Sequence, residues 1–256
     1  MKYIDIHSHL NFATYDSSRD DVIKRMVDNG VSTIIVGTQI DTSRIAVEIA
    51  EKNKNIYATI GLHPTHSKGE IPNIEEYRKL AINNKVVAIG ECGLDYYHCD
   101  ESSFLKQKQV FESMIDIANE VNKPLMLHIR SSKDKSAYKD AYEVIKSRAN
   151  ILGNIHFFAG SIPEAKPFLD IGFTFSFTGV ITFTRDYDEI IKYLPIDRIM
   201  SETDAPYVTP VPYRGKTNEP LFVKEVVKKI ADIRGEDEDK VRANIIDNAY
   251  RMFSIR

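Results

Sequence analysis

The sequence predicts a single (β/α)8 barrel over residues 1–256, and three observations predict it. The length of 256 residues suits one barrel of this kind, and the 43% apolar and 28% charged residues are ordinary for a globular chain. Short apolar runs alternate with longer segments of helical period, which is the pattern of βα units on a parallel sheet. Finally, polar signatures follow several of those apolar runs: Asp5-Ile6-His7-Ser8-His9, Gly90-Glu91-Cys92-Gly93-Leu94-Asp95, the lone histidines His128 and His156, and Glu202-Thr203-Asp204-Ala205-Pro206. In a closed parallel barrel all strand ends open on one face, so signatures far apart in sequence converge there.

The strands are expected, in order, at Tyr3–Ile6, Ser32–Val36, Ile56–Ile60, Val86–Gly90, Leu125–Leu127, Ile155–Phe157, Phe173–Phe177 and Arg198–Ser201. The segments between them carry helix signals. Ser17 and Ser18 can cap a helix that runs to Asn29, with Gly30 as its stop. Asp41 opens the next, in which Ile45 and Ile49 share a side. Phe104, Phe111, Ile115 and Ala118 form one stripe of a long fourth helix. Ser161 with Pro163 starts the sixth, and Gly172 ends it. An open doubly wound sheet would carry a glycine-rich phosphate loop after its first strand, and His7-Ser8-His9 stands there instead.

A chain of this size buries enough apolar surface to fold without disulfides or a structural metal. The net charge of −3 and pI near 6.2 disfavour non-specific coating of long nucleic acid, which calls for a basic surface. An enzyme that grips one phosphate through bound cations escapes that objection. Cys92 and Cys99 form no disulfide framework and no zinc-ribbon spacing, so reduced thiols are expected. The first residues do not resemble a signal peptide, and no apolar run reaches the roughly 18 residues of a membrane span. The expectation is a cytoplasmic protein without a membrane segment or an obligate protein partner.

The chemistry is read from the strand ends. His7 and His9 flank one residue, so on an extended backbone both side chains point the same way. Imidazole suits zinc, iron and similar divalent ions. Glu91 ends a very apolar run, and its two carboxylate oxygens can bridge two cations about 3.5–4 Å apart. His128 and His156 each end an apolar run and, with Glu91 on the same mouth, read as ligands rather than core histidines. Asp204 follows the last strand, where it can ligate a metal and touch an attacking water.

With these motifs in place the chain resembles the TatD family of metal-dependent deoxyribonucleases, within the amidohydrolase-like barrels. The matching segments run in order through the chain: Asp5 to Asn11, Gly61-Leu62-His63-Pro64, Gly90 to Tyr96, Pro124 to Arg130, His156 to Gly160, Glu202 to Tyr207, Pro212 to Lys216, Asn218-Glu219-Pro220 and Asn248 to Phe253. The resemblance implies that His7, His9 and Asp204 hold one divalent ion, that His128 and His156 hold a second, and that Glu91 bridges them. Four positions depart from the family pattern without removing a ligand. Ile6 stands where a small residue is usual, Phe157 and Ala159 replace Cys and Ser, and Ser132 is atypical.

The reaction expected is hydrolysis of a phosphodiester, as a 3′–5′ exonuclease on single-stranded DNA ends or on RNA, with two divalent ions (magnesium, manganese or zinc). A bound cation lowers the pKa of water from about 15.7 to about 7. Asp204 would position that water and take its proton, Glu91 would bridge, and His63 would contact phosphate or protonate the leaving oxygen. Arg130, two residues past His128, and Arg214 in the last loop would bind phosphate. Asp95 and Thr203 would orient ligands by hydrogen bonds. Tyr96, Tyr97 and Tyr207 near the mouth would stack bases, whereas His66 and His98 read as loop residues. One rival keeps the site but changes the bond, to an amide, an ester or the D-aminoacyl ester of a transfer RNA. A second rival is a barrel that binds nucleic acid or protein without chemistry; its mark would be a lost ligand, and none is lost.

Overall fold

The computed structural model describes residues 1–67 and 72–255. Eight parallel strands stand in sequence order around a nearly closed barrel: β1 (Tyr3–Ser8), β2 (Val31–Val36), β3 (Ile56–Ile60), β4 (Val86–Asp95), β5 (Leu125–Arg130), β6 (Gly153–Ile155), β7 (Thr174–Phe177) and β8 (Ile199–Ser201). The seam between β8 and β1 is drawn together beyond the end of β8. There Asp204 N donates to His7 O at 2.9 Å and His9 N donates to Ala205 O at 2.7 Å.

Helices separate the strands: α1 (Arg19–Asp28), α2 (Ile40–Lys52), α3 (Ile74–Ala81), α4 (Phe104–Val121), α5 (Ala137–Arg148), α6 (Ile162–Asp170) and α7 (Asp188–Tyr193), followed by α8 (Val223–Arg234) and α9 (Glu238–Phe253). Because both faces of the sheet are covered, β2 and β4 are buried throughout, which is why Ile34–Val36 and Val86–Ile89 read as continuous apolar runs. Phe111, Ile115 and Ala118 of α4 are buried in the core, and Phe104 packs at its edge. On α9, buried Asn248 donates to Ile196 O and Ile199 O, each at 2.8 Å, and fixes the chain end beneath β8.

The end signals of the helices are where the sequence places them, with one difference. Ser18 precedes α1 and Gly30 follows it in the left-handed region, while Ser161 and Glu164 form a capping box on α6. In α2 the cap is not Asp41 but Gln39, whose N–H donates to Thr42 Oγ1 at 2.9 Å. Ile45 of that helix is exposed, and Ala46, Val47, Ile49 and Ala50 make the buried side.

The strands differ more. β4 and β5 run on to Asp95 and Arg130 because Gly93 pairs with His128, Leu94 with Ile129 and Asp95 with Arg130. Polar residues hide that extension from an apolar-run reading. β6 stops at Ile155, and Phe157 is not in the strand: it has φ 43°, with its N–H donated to Glu202 Oε1 at 2.7 Å.

Two of the strands that carry site residues hold an extra residue. Ile89 pairs with Leu125 and Cys92 with Leu127, so three steps on β4 face two on β5. Asp5 pairs with Thr33 and Ser8 with Ile35, which repeats the shift on β1. Such bulges re-aim the side chains that follow them.

Candidate metal centre

Gly90 is what lets β4 turn Glu91 toward the mouth. Its φ is +147°, and a Cβ there would lie 2.1 Å from Met126 O, so only glycine fits. Gly93 is held the same way against His128 O. With these positions fixed, Glu91 falls in the phase that faces a cavity of about 360 Å³ at the C-terminal ends of the strands. His9, His63, His128, Arg130, His156 and Asp204 line the same cavity, and His7 lies fully buried among them.

The side chains gather in two groups, one on each oxygen of Glu91. Oε2 lies 3.5 Å from His7 Nε2 and 3.8 Å from His9 Nε2. Asp204 Oδ1 is 3.3 Å from His9 Nε2 and 3.8 Å from His7 Nε2, and the two histidine nitrogens are 3.2 Å apart. On the other side, Oε1 lies 2.9 Å from His156 Nε2, 3.1 Å from His128 Nδ1 and 3.2 Å from His63 Nε2. Every residue expected as a ligand is therefore present, and His63 joins the second group.

The far nitrogens of the rings show which way the near ones face. His9 Nδ1 donates to Val36 O at 3.0 Å and His128 Nε2 to Asp95 Oδ2 at 2.9 Å; His156 Nδ1 is 3.4 Å from Glu202 Oε1. Protons placed there leave a lone pair on each nitrogen that points at Glu91 or Asp204. Acceptors then face acceptors, an arrangement that a shared cation satisfies. For the first group the five separations of 3.2–3.8 Å suit donors that share one ion. Ligand distances of about 2.1 Å place neighbouring donors roughly 3.0–3.4 Å apart. The donors present thus fit divalent cations.

Protonated imidazoles would hold the same carboxylates. Burial alone would raise the Glu91 carboxyl, but His63, His156 and His128, when they carry their charges, hold it well below the usual carboxylate range. Asp204 is likewise lowered, because the His9 hydrogen bond and the neighbouring histidines outweigh burial. Burial pulls His9, His128 and His156 down, yet the carboxylates around them leave all three raised. His7, with His156 stacked on it at 3.9 Å, is lowered by burial and by that neighbour. Burial takes His63 to about 4, so it is neutral at pH 7.

A supporting layer lies behind these groups. Asp95 Oδ2 serves both His128 and the exposed His98, and its amide donates to Gln107 Oε1 at 2.8 Å. Thr203 acts at one remove: its N–H and hydroxyl donate to the two oxygens of Asp5 at 2.8 and 2.7 Å. Two buried acids of the quoted motifs have roles that the sequence does not assign. Glu202 takes the Phe157 N–H, the Ser176 hydroxyl at 2.7 Å and a position beside His156. Asp5 ties β1 to the strand-8 exit. Their signal is positional: an acid inside or directly after a buried strand needs partners. Asp95→Asn is expected to weaken metal binding by about 10–100-fold, because His128 loses the carboxylate that fixes its tautomer. Titration of chelator-stripped protein with zinc checks this.

Some expected contacts are not formed at the cavity. Arg214 lies 4.1 Å over the Phe183 ring and donates to Thr209 O at 2.8 Å, so the last loop uses it for its own structure. Tyr96 is buried, with its hydroxyl on Asp140 at 2.8 Å, whereas Tyr207 does line the mouth. His66 and His98 line the rim, outside both groups. Cys92 is fully buried beside Ile89 O and Met126 O.

An eight-stranded βα barrel with histidines and carboxylates gathered at its strand ends is the architecture of a metal-dependent hydrolase, and that is the class of this protein. The chain belongs to the family described as TatD related DNase, whose model matches residues 4–254. It is 38% identical over 260 residues to YabD of Bacillus subtilis, an uncharacterized metal-dependent hydrolase, with 98% of each chain covered. The similarly described YcfH of Escherichia coli is 31% identical over 263 residues, covering 100% of this chain and 97% of its own. Among solved structures, the TatD homolog YjjV of Escherichia coli superposes with a TM-score of 0.90 at 25% identity, covering 100% of this chain and 99% of that one. Among the described residues no helix is long and apolar enough to cross a membrane.

Proposed function

We propose that the protein hydrolyses phosphodiester bonds with two divalent cations and acts as a 3′–5′ exonuclease on single-stranded DNA ends. The observation that carries this reading is Glu91, whose two oxygens each face a separate group of nitrogen and oxygen donors. His7, His9 and Asp204 would hold one ion, and His128 and His156 the other, with Glu91 common to both. The histidine-rich set favours manganese, zinc or iron over magnesium. When bound, the two ions supply Lewis acidity that activates a water and neutralises phosphoryl charge.

The protein's own groups do the rest. Asp204, held ionised by His9 and His7, has an oxygen placed to accept the proton of the attacking water. The Thr65 N–H donates to His63 Nδ1 at 3.3 Å, which places the proton of that neutral imidazole on Nε2, at the cavity and 3.2 Å from Glu91 Oε1. From there it donates to a phosphate oxygen, or to the leaving oxygen as charge develops on it. Arg130 at the rim offers a planar fork to the phosphate. The small cavity and acidic net charge favour a terminal nucleotide over a long duplex.

The test uses protein stripped by chelator and resupplied separately with magnesium, manganese or zinc, given single-stranded DNA labelled at either end. Metal-dependent shortening by one nucleotide at a time from the 3′ end is the expected result. Intact DNA with every metal, from protein that still binds two ions per chain, would assign the site to a different bond. Aminoacylated transfer RNA and small esters or amides would then be tried.

A further inference from the structure

Beside the metal cavity lies a second one of about 440 Å³, and Arg130 belongs to both. The same strand ends build the two. The β4 exit gives His98 to the first and Tyr97 to the second; β5 gives His128 to the first, and the residues after Arg130, as far as Lys133, line the second. Arg130 lies 5.4 Å over the Tyr97 ring and, among the described residues, has no carboxylate within ion-pair distance. A guanidinium in that position is available to an anion that passes from one cavity to the other.

The walls of the second cavity suit a base as well as a phosphate. Tyr97, Tyr138 and Tyr187 contribute aromatic rings, and exposed Lys133 adds a second cation. The Tyr138 hydroxyl accepts the Ala159 N–H at 3.2 Å, which leaves its own proton to donate. The two acids at the edge are engaged: Glu164 Oε2 caps α6 through the Ser161 N–H and hydroxyl, both at 2.8 Å, and Asp186 accepts the Thr184 hydroxyl at 2.6 Å. Aromatic faces alternating with cations along a path are how single strands are held without sequence reading.

We infer that this second cavity binds the penultimate nucleotide of the substrate strand, with its base against Tyr187 and its phosphate between Arg130 and Lys133. The assignment rests on the phosphodiesterase reading. It makes the enzyme prefer a strand that carries a base and a second phosphate beyond the scissile one over a simple phosphodiester.

The experiment compares kcat/KM for the thymidine trinucleotide with that for bis(p-nitrophenyl) phosphate, which carries neither a nucleobase nor a second phosphate for the second cavity. Wild type, Tyr187→Leu and Lys133→Ala are measured in the same metal. For Tyr187→Leu the trinucleotide-to-diester ratio should fall about 5- to 150-fold, the loss of one stacked base, mostly through KM. For Lys133→Ala it should fall severalfold, with a gap that narrows as salt is raised. Lys133 is exposed, so its variant remains informative even if Tyr187→Leu does not fold. An active wild type whose ratio moves in neither variant overturns the second cavity alone. A wild type that cleaves neither substrate overturns the phosphodiesterase reading and this assignment with it.

Discussion

Asp204→Asn is expected to lower turnover of a phosphodiester by about 10³-fold or more while the barrel stays folded. The side chain is replaced by one of the same shape, and its backbone keeps the hydrogen bond from Asp204 N to His7 O that helps close the seam. What goes is one carboxylate oxygen, 3.3 Å from His9 Nε2, that on the proposed reading would be both a donor to the first ion and the acceptor of the water's proton. An amide oxygen can do the first weakly and the second not at all. Hydrolysis of bis(p-nitrophenyl) phosphate, measured beside the thermal unfolding midpoint, checks both halves. A variant with wild-type rates would remove Asp204 from the reaction.

Glu91→Ala should act on metal content first. Each oxygen of Glu91 faces one group of donors, so on the proposed reading its removal would take a ligand from both ions at once. It also leaves His7, His128 and His156 close together without the negative charge they surround. The expected outcome is protein that retains well under two ions per chain after dialysis, by elemental analysis, and has negligible activity in any metal. If two ions remain bound, Glu91 does not bridge. These two variants should separate the roles: Asp204→Asn is expected to impair the reaction above all, and Glu91→Ala to impair loading.

Much of this was legible in the sequence because the signals were local. His7 and His9 at a spacing of two, and Glu91, His128 and Asp204 at the ends of apolar runs, need only strand geometry and a closed barrel to meet. What was not legible depends on contacts between distant segments. Nothing near Arg214 announces that its guanidinium is taken up by Phe183 and Thr209. Nothing near Tyr96 shows that its ring is buried and its hydroxyl held by Asp140 on α5. Glu202 could be suspected from its place after a buried strand, but its task beside His156 needs the fold. The end of β6 was misplaced for the same reason, since the carboxylate that draws Phe157 out of the strand lies 45 residues away.

The additional residue in β4 has a consequence for how such a chain can vary. Alternation between inside and outside restarts at Gly90, so the lower part of the strand obeys the core and the upper part obeys the mouth, each in its own phase. Substitutions that repack Val86–Ile89 are thereby insulated from the direction in which Glu91 and Asp95 point. A design that regularised this strand to gain rigidity, keeping every residue but removing the irregular step, would turn the acids outward and bring Cys92 and Leu94 to the mouth. The defect in the ladder is the part of β4 least open to improvement.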